Sequence, residues 1–378
     1  MADDTADTTR PRLLLNAEPF GFGPSAASAI LAAELAPFCG TLGYVGGGHT
    51  LDLQCGPPYH AVHDTTGLSE SEQQTLLTQL SPQYDLFVTA MDFEAGDRAQ
   101  RAGLSVAVYD ALTWFWSAIP AVARDAALYI AQDFFGVRER IAADPALRRN
   151  SVIVPPIIPP PRVWRPGKHV LVNLGGLHSP FWQPSEAAAY ARLMAAAVRA
   201  AQPVGRSVVV TASRSIAAAL GDPAVGTHDH GTVLDLMSNA AYACMTPGLG
   251  NIYDAATTGV PTLWLPSTND SQYAQARLLR EHGYCDAHVD WTDLGRPVDY
   301  SAPLPTAMEA VNRAVRELST QRPLRERLVG RLAKSTAELG LFPGRAQSLT
   351  DRFGHSGIRQ AAAALLRWAA QNPGRPRH

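Results

Sequence analysis

Short apolar runs of four to six residues, each leading through a turn into a helix-length stretch, recur along this chain and restart after a proline-rich bridge. Leu13-Leu-Leu-Asn16, Thr41 to Val45, Asp85-Leu-Phe-Val-Thr-Ala90 and Leu104-Ser-Val-Ala-Val108 come before the bridge. His169-Val-Leu-Val-Asn-Leu174, Ser207 to Ala212, Ala241 to Met245 and Thr262 to Leu265 come after it. Strands that alternate with helices predict parallel sheets covered on both faces. Helices are expected over Ser25 to Leu35, Ala121 to Ala142, Ser185 to Ala201, Thr232 to Asn239, Ala307 to Glu317, Leu324 to Leu339 and Gln360 to Ala370. The bridge, Val154-Pro-Pro-Ile-Ile-Pro-Pro-Pro161 with Arg165-Pro166, reads as a semi-rigid extended connector.

This pattern predicts the α/β class, with two Rossmann-like doubly wound domains facing across a cleft. The expected boundaries are 13–155, 167–345, and a C-terminal helix and tail over 346–378. A length of 378 residues is more than one ordinary core needs and suits two. Ligands of such sheets sit outside the carboxyl ends of the strands.

Composition removes several classes. The formal charge is −2, and no basic stripe interleaves with aromatics, which argues against nucleic acid as a partner. Residues 1–12 read as a loose polar tail, unlike a signal peptide, and no apolar run approaches the roughly 20 residues that span a bilayer. Cysteines at 39, 55, 244 and 285 form no C-x-x-C pair, so reduced thiols and a cytoplasmic setting are expected.

The chemistry concentrates in Met245-Thr-Pro-Gly-Leu-Gly-Asn-Ile-Tyr-Asp254, followed by Gly259-Val-Pro261 and by Pro266 to Ala276. A strand runs into a glycine loop and a helix with an acidic residue in its first turn. Bare N–H groups at a helix start suit a diphosphate, and a carboxylate one turn on suits a ribose diol. Asn251 and Asp254 equally satisfy an N-cap with its capping-box partner. Gly175-Gly176 is either a second close backbone approach or an ordinary strand-to-loop turn. Arg214 either neutralises phosphate or is a solvated arginine at a helix start.

Residues 165–300 resemble the nucleotide-sugar domain of GT-B glycosyltransferases, especially the class that uses UDP-sugars. In that resemblance Gly248 and Gly250 occupy the glycine loop, Asp254 stands for the family's Glu, Gly259 and Pro261 make the turn, and Pro266, Asp270, Gln272, Gln275 and Ala276 the last loop. It implies donor binding by Gly176, Arg214, Gly248, Gly250, Asn251, Asp254 and Gln272. It also implies that the nucleotide-sugar is a substrate, with no separate cofactor and no metal. Three departures stand out: Asp254 is shorter than Glu by one methylene, Ser271 separates Asp270 from Gln272, and Asn251 replaces a Thr or Ser.

The family's acceptor loop corresponds to Phe20-Gly-Phe-Gly-Pro24, with Gly21 and Gly23. The catalytic His often found there is absent, which leaves Glu18, His49 and Asp92 as the candidates to orient or deprotonate an acceptor. Asp52 and the His60/His63 pair are weaker candidates. His49 lies in Gly46 to Asp52, too glycine-rich for a regular element. His60-x-x-His63-Asp64 has metal-like spacing only on a helix, which Pro57-Pro58 disfavours just upstream, and His228-Asp229-His230 hints at metal but has no third ligand at suitable spacing. Trp114-Phe115-Trp116 either stacks on a planar acceptor or closes a core.

A narrower resemblance lies in Glu18 to Pro24 and Gly46 to Gln54, which look like those of proteins related to cytosylglucuronate synthase. Those enzymes of nucleoside-antibiotic biosynthesis join glucuronate from UDP-glucuronate to cytosine. Arg214 or Arg138 would then read the sugar carboxylate. The implied activity is transfer of a sugar from a nucleotide diphosphate to a small acceptor in natural-product biosynthesis. The alternatives are a nucleotide-sugar 2-epimerase and a non-catalytic nucleotide-binding protein.

Overall fold

The computed structural model describes residues 10–54, 56–340 and 342–372. They divide into two compact units, one running to Ile158 and resuming at Phe353, the other Pro159–Arg352. In chain order the first unit contains β1 (Arg12–Ala17), α1 (Gly23–Leu35), β2 (Thr41–Gly46), β3 (Ala61–Asp64), α2 (Glu70–Leu80), β4 (Leu86–Ala90), α3 (Phe93–Arg101), β5 (Val106–Asp110), α4 (Ala121–Arg124), β6 (Leu128–Gln132), α5 (Val137–Ala143), α6 (Pro145–Asn150) and β7 (Ser151–Val154). The second contains β8 (His169–Leu174), α7 (Pro184–Ala200), β9 (Ser207–Ala212), α8 (Arg214–Leu220), β10 (Val225–Gly226), α9 (His230–Ser238), β11 (Ala240–Met245), α10 (Leu249–Thr258), β12 (Thr262–Trp264), α11 (Asp270–Glu281), β13 (Ala287–His288), α12 (Leu304–Thr320) and α13 (Arg322–Ala337). After them come α14 (Ser348–Phe353) and α15 (Gly357–Gln371), the latter in the first unit.

Both sheets are parallel throughout. Their strand orders are β3-β2-β1-β4-β5-β6-β7 and β10-β9-β8-β11-β12-β13. In each, the order reverses beside the unit's first strand, so the switch points lie between β1 and β4 and between β8 and β11. Loops leaving the carboxyl ends diverge there and open a crevice.

The central strands are apolar on both faces because helices cover both. Leu13, Leu14 and Leu15 have no exposed surface, and neither do Val170, Leu171 and Val172. On α12 the buried Met308, Val311, Val315 and Leu318 repeat at helical spacing and pack into the second core. On α15, Ala361, Ala362, Ala364 and Leu365 enter the first core beside Ala27, Leu31 and Ala32 of α1. Small side chains on both helices allow that close approach. A Cβ at Gly357 would collide with the carbonyl oxygens of Pro155 and Pro156, so only glycine starts this helix there.

Several elements differ from expectation. Ala121 to Ala142 is not one helix: Leu128-Tyr-Ile-Ala-Gln132 is a fully buried strand between α4 and α5. Gly48–Leu53, expected as irregular, forms a 3₁₀ helix. Arg12, placed in the loose tail, begins β1 and is bound by Asp85 through its backbone N–H and its guanidinium. The rest of that tail, residues 1–9, lies outside the described residues, as does Cys55. Cys39, Cys244 and Cys285 are not in disulfides. The connector is held by hydrogen bonds along its length. Ile157 donates its N–H to Gln132 Oε1 at 3.1 Å, Arg162 donates its own to Thr257 O, and Trp164 Nε1 donates to Ala240 O. No helix of the described residues is long and apolar enough to cross a membrane.

Candidate functional site

In the second unit the candidate donor residues gather at the switch point. Asn173, near the end of β8, is buried and directly opposite Met245 of β11. Its Nδ2 donates to Asn251 Oδ1 at 3.1 Å, while its Oδ1 accepts from Thr211 Oγ1 and from the N–H of Gly175. Asn251 in turn donates to the Thr246 carbonyl at 2.9 Å. One buried amide therefore ties together three strand ends and the two glycine loops. A polar side chain this deep persists only when its bonds are filled.

Helix α10 begins one turn earlier than the sequence suggests. Gly248 is its N-cap, in extended conformation, and no side chain caps it. Asn251 is therefore not the cap, and Asp254 is neither its capping-box partner nor in the first turn. Gly250 lies inside the helix rather than in the loop. The amides at this helix start receive no side-chain oxygen, as an anion site requires. A Cβ at Gly176 or Gly250 would meet nothing within 4 Å, and one at Gly248 only Gln272 Nε2 at 3.8 Å. None of the three has a positive φ. Neither strain nor crowding within the unit demands glycine at these places.

Asp254, 9% exposed, accepts from His230 Nε2 at 2.9 Å. His230 lies 24 positions upstream, so no local spacing rule connects the two residues. Asp254 holds the His230 imidazole above its usual pKa, against the opposing effect of burial. Gln272 is buried, and its Oε1 accepts from Thr268 N and Thr268 Oγ1, which leaves the amide nitrogen toward Gly248. Asp270 bonds its neighbour Ser271 instead. Arg214 is exposed at the first position of α8, behind the N-cap Ser213, and His178 Nε2 lies 2.8 Å from Ser213 Oγ.

The loop after β12 is clamped from three directions. Tyr190 OH donates to the Pro266 carbonyl at 2.6 Å, and Trp291 Nε1 and Tyr300 OH both donate to the Ser267 carbonyl. Tyr190→Phe leaves the Pro266 carbonyl buried without its donor and should destabilise the protein by about 1–3 kcal/mol in urea denaturation. A smaller change for Tyr190→Phe than for Tyr300→Phe, whose acceptor keeps a second donor, would show that the clamp does not act in this way.

In the first unit a parallel arrangement holds the candidate catalytic groups. Asn16, near the end of β1, accepts from Thr89 Oγ1 at 2.7 Å and donates to Val45 O. Glu18 follows β1, and Asp92 caps α3 by accepting from Ala95 N at 2.8 Å. Met91, between β4 and that cap, has a φ of 67°. This strained turn, worth roughly 1–2 kcal/mol for an L residue, leads directly into the Asp92 cap. Burial, with Asp92 and Glu94 adding repulsion, pushes the Glu18 carboxyl up to about 8. Asp92 is raised as well, chiefly by burial.

His49 sits on the 3₁₀ helix, and its Nε2 donates to the Gly21 carbonyl at 2.7 Å, with Phe22 packed edge-on. It therefore anchors the loop over 20–24, and burial lowers its pKa. Gly21 takes a positive φ, and Gly23 starts α1 with open space where a side chain would stand. Asp52 is exposed. His60 precedes β3 and His63 lies within it, so the pair sits on a strand rather than a helix, and His60 Nδ1 accepts from Leu42 N. Arg138 is committed to Asp133 through Nε and Nη2. Trp116 donates to the buried Asp110, and Phe93 meets it edge-on. Among the described residues no three His, Cys, Asp or Glu side chains form a metal-holding group.

These two doubly wound units define the GT-B fold. Solved structures that share it include the glycotransferase of kitacinnamycin, 16% identical with TM-score 0.52, matched over 95% of this chain and 99% of that one. The calicheamicin glycosyltransferase CalG4 is 16% identical with TM-score 0.51, over 96% and 99%. LpCGTa in complex with UDP is 12% identical with TM-score 0.52, over 95% and 100%. No protein-family model matches the sequence, and no curated protein is a significant match to it.

Proposed function

We propose that this chain is a glycosyltransferase that moves a sugar from a nucleotide diphosphate, foremost a UDP-sugar, to a small acceptor. The observation that carries it is the backbone corner of the second unit. Gly176, Gly248 and Gly250 present bare main chain around the uncapped start of α10, at the switch point, with the Asp254 carboxylate further along the same helix. The amides stabilise charge that grows on the departing diphosphate. Asp254 and Gln272 hold the pentose side of the donor. The likeness to solved glycosyltransferases, one of them holding UDP, supports this choice of ligand.

In the first unit Glu18 takes the acceptor proton, Asp92 shares the charge, and His49 holds the Gly21–Gly23 loop in place. Phe93 and Trp116 supply apolar wall beside Asp92. A narrower version, set in natural-product biosynthesis, takes UDP-glucuronate as donor and a cytosine-type base as acceptor. An acceptor nitrogen that is already nucleophilic fits a loop without a histidine, and Arg214 is the cation for the sugar carboxylate.

Thermal melting with UDP-, GDP- and dTDP-sugars tests the assignment. A nucleotide at a hundred times its Kd adds about 2.7 kcal/mol, roughly 2–4 °C for a chain of this size. UDP-sugars should give that shift, and Asp254→Asn should remove most of it. Equal silence from all three nucleotides would sink the assignment. Incubation with donor alone separates an epimerase, which alters the sugar, from a transferase, which gives at most slow hydrolysis.

A further inference from the structure

We propose that His230 sets the Asp254 carboxylate for a nucleoside diphosphate: its imidazole holds one oxygen and presents the other to the vicinal diol of the pentose. This rests on the assignment of that corner as the nucleotide site.

Asp254 is nearly closed off from water, and a carboxylate in that position needs a charged or hydrogen-bonding partner. His230 Nε2 supplies it at Oδ1, 2.9 Å away. The second oxygen makes no hydrogen bond among the described residues. The two residues come from different helices. His230 is the first residue of α9, just after its N-cap Asp229, and Asp254 lies in the second turn of α10. An Asp reaches less far than a Glu, so its rotamer must be held if it is to meet a hydroxyl. A hydrogen bond to one oxygen fixes the plane of the other.

The charges around His230 decide what protonation does here. Asp254 on α10 and Asp229 at the head of α9 favour the imidazolium, whereas Arg162 from the connector opposes it. Arg162 is itself paired with Asp235, one turn further along α9, and Asp229 is bound by Thr232 N and Thr232 Oγ1. With His230 protonated, the His230–Asp254 pair carries no net charge beside the diphosphate corner. Loss of that proton leaves an uncompensated carboxylate next to a ligand that is itself anionic. Nucleotide affinity should therefore fall as the imidazole deprotonates.

The experiment is calorimetric titration of the full chain with UDP and with 2′-deoxy-UDP, between about pH 6 and about pH 8.5. Wild type, His230→Gln and His230→Ala are compared, and melting curves show that each variant is folded. The UDP phosphate ionises in the same range, but identically for all three proteins, so the comparison runs between proteins. Wild type should lose about ten-fold more affinity for UDP across that range than either variant. Removing the 2′-hydroxyl should cost wild type about ten-fold, and His230→Ala less than about three-fold. His230→Gln, which still donates to Oδ1, should keep most of the penalty for the missing hydroxyl while losing the pH dependence. If UDP binds but the hydroxyl penalty and pH slope are the same in all three proteins, His230 only ties α9 to α10 and the proposal fails. If wild type binds no UDP at all, the site assignment fails and takes the proposal with it.

Discussion

Glu18→Gln should slow sugar transfer by about 10²–10⁴ in kcat/KM, the range over which a positioned general base acts. The same change should make the protein more stable in alkaline solution. Both effects come from one cause. The carboxyl is held near pH 8 by burial and by the neighbouring Asp92 and Glu94, whereas in the unfolded chain it ionises near 4.5. A folded pKa above the unfolded one contributes stability that is complete below about 4.5 and is lost as pH rises through about 8. Each pH unit between them is worth about 1.4 kcal/mol, so the full loss has a ceiling of about 5 kcal/mol. Denaturation of wild type and Glu18→Gln should coincide near pH 4, diverge between about 5 and 8, and stay apart above. In the wild type, kcat/KM should climb with pH and reach half its limit near 8, as the carboxyl becomes able to accept a proton. A rate that is flat through this range, or a variant with normal turnover, would remove Glu18 from the mechanism.

Gly250→Ala should separate binding from folding. The position is inside α10, without a positive φ, and a Cβ there meets no protein atom within 4 Å. Alanine is favoured over glycine in a helix by up to about 1 kcal/mol, so the variant should melt at the same temperature or higher. If the diphosphate rests against this backbone, a methyl group stands in its place. UDP affinity should then fall at least about ten-fold, or about 1.4 kcal/mol. Undiminished UDP binding would show that the ligand lies elsewhere. A drop in melting temperature would show that the glycine serves packing after all.

Most of the strand and helix alternation was legible because the buried strands are short uninterrupted apolar runs. Leu13 to Asn16 and His169 to Leu174 differ from β1 and β8 by at most two residues at either end. Leu128 to Gln132 was lost because alanine-rich flanks extend a helical pattern across it, and only its place between β5 and β7 makes it a strand. Helix α2 shows no apolar stripe, though Ser69 and Glu72 form a readable capping box at its start. At the candidate sites, chain order identified the loops but not the contacts inside them. Asn16 and Asn173 each interrupt an apolar run, Leu13 to Leu15 and Val170 to Val172, near the carboxyl end of its strand, which is the signal that finds them. The His230–Asp254 pair and the raised Glu18 carboxyl exist only after folding, since each depends on groups distant in sequence. The start of α10 falls at Gly248 rather than at Asn251, because Asn251, a good cap by residue type, bonds Asn173 and Thr246 instead.

Because α15 completes the first core beside α1, the N-terminal half of this protein cannot finish folding as it leaves the ribosome. Its sheet must wait, with one greasy flank uncovered, until residues 357–371 have been translated. During synthesis the uninterrupted second half can mature first, although it is made later.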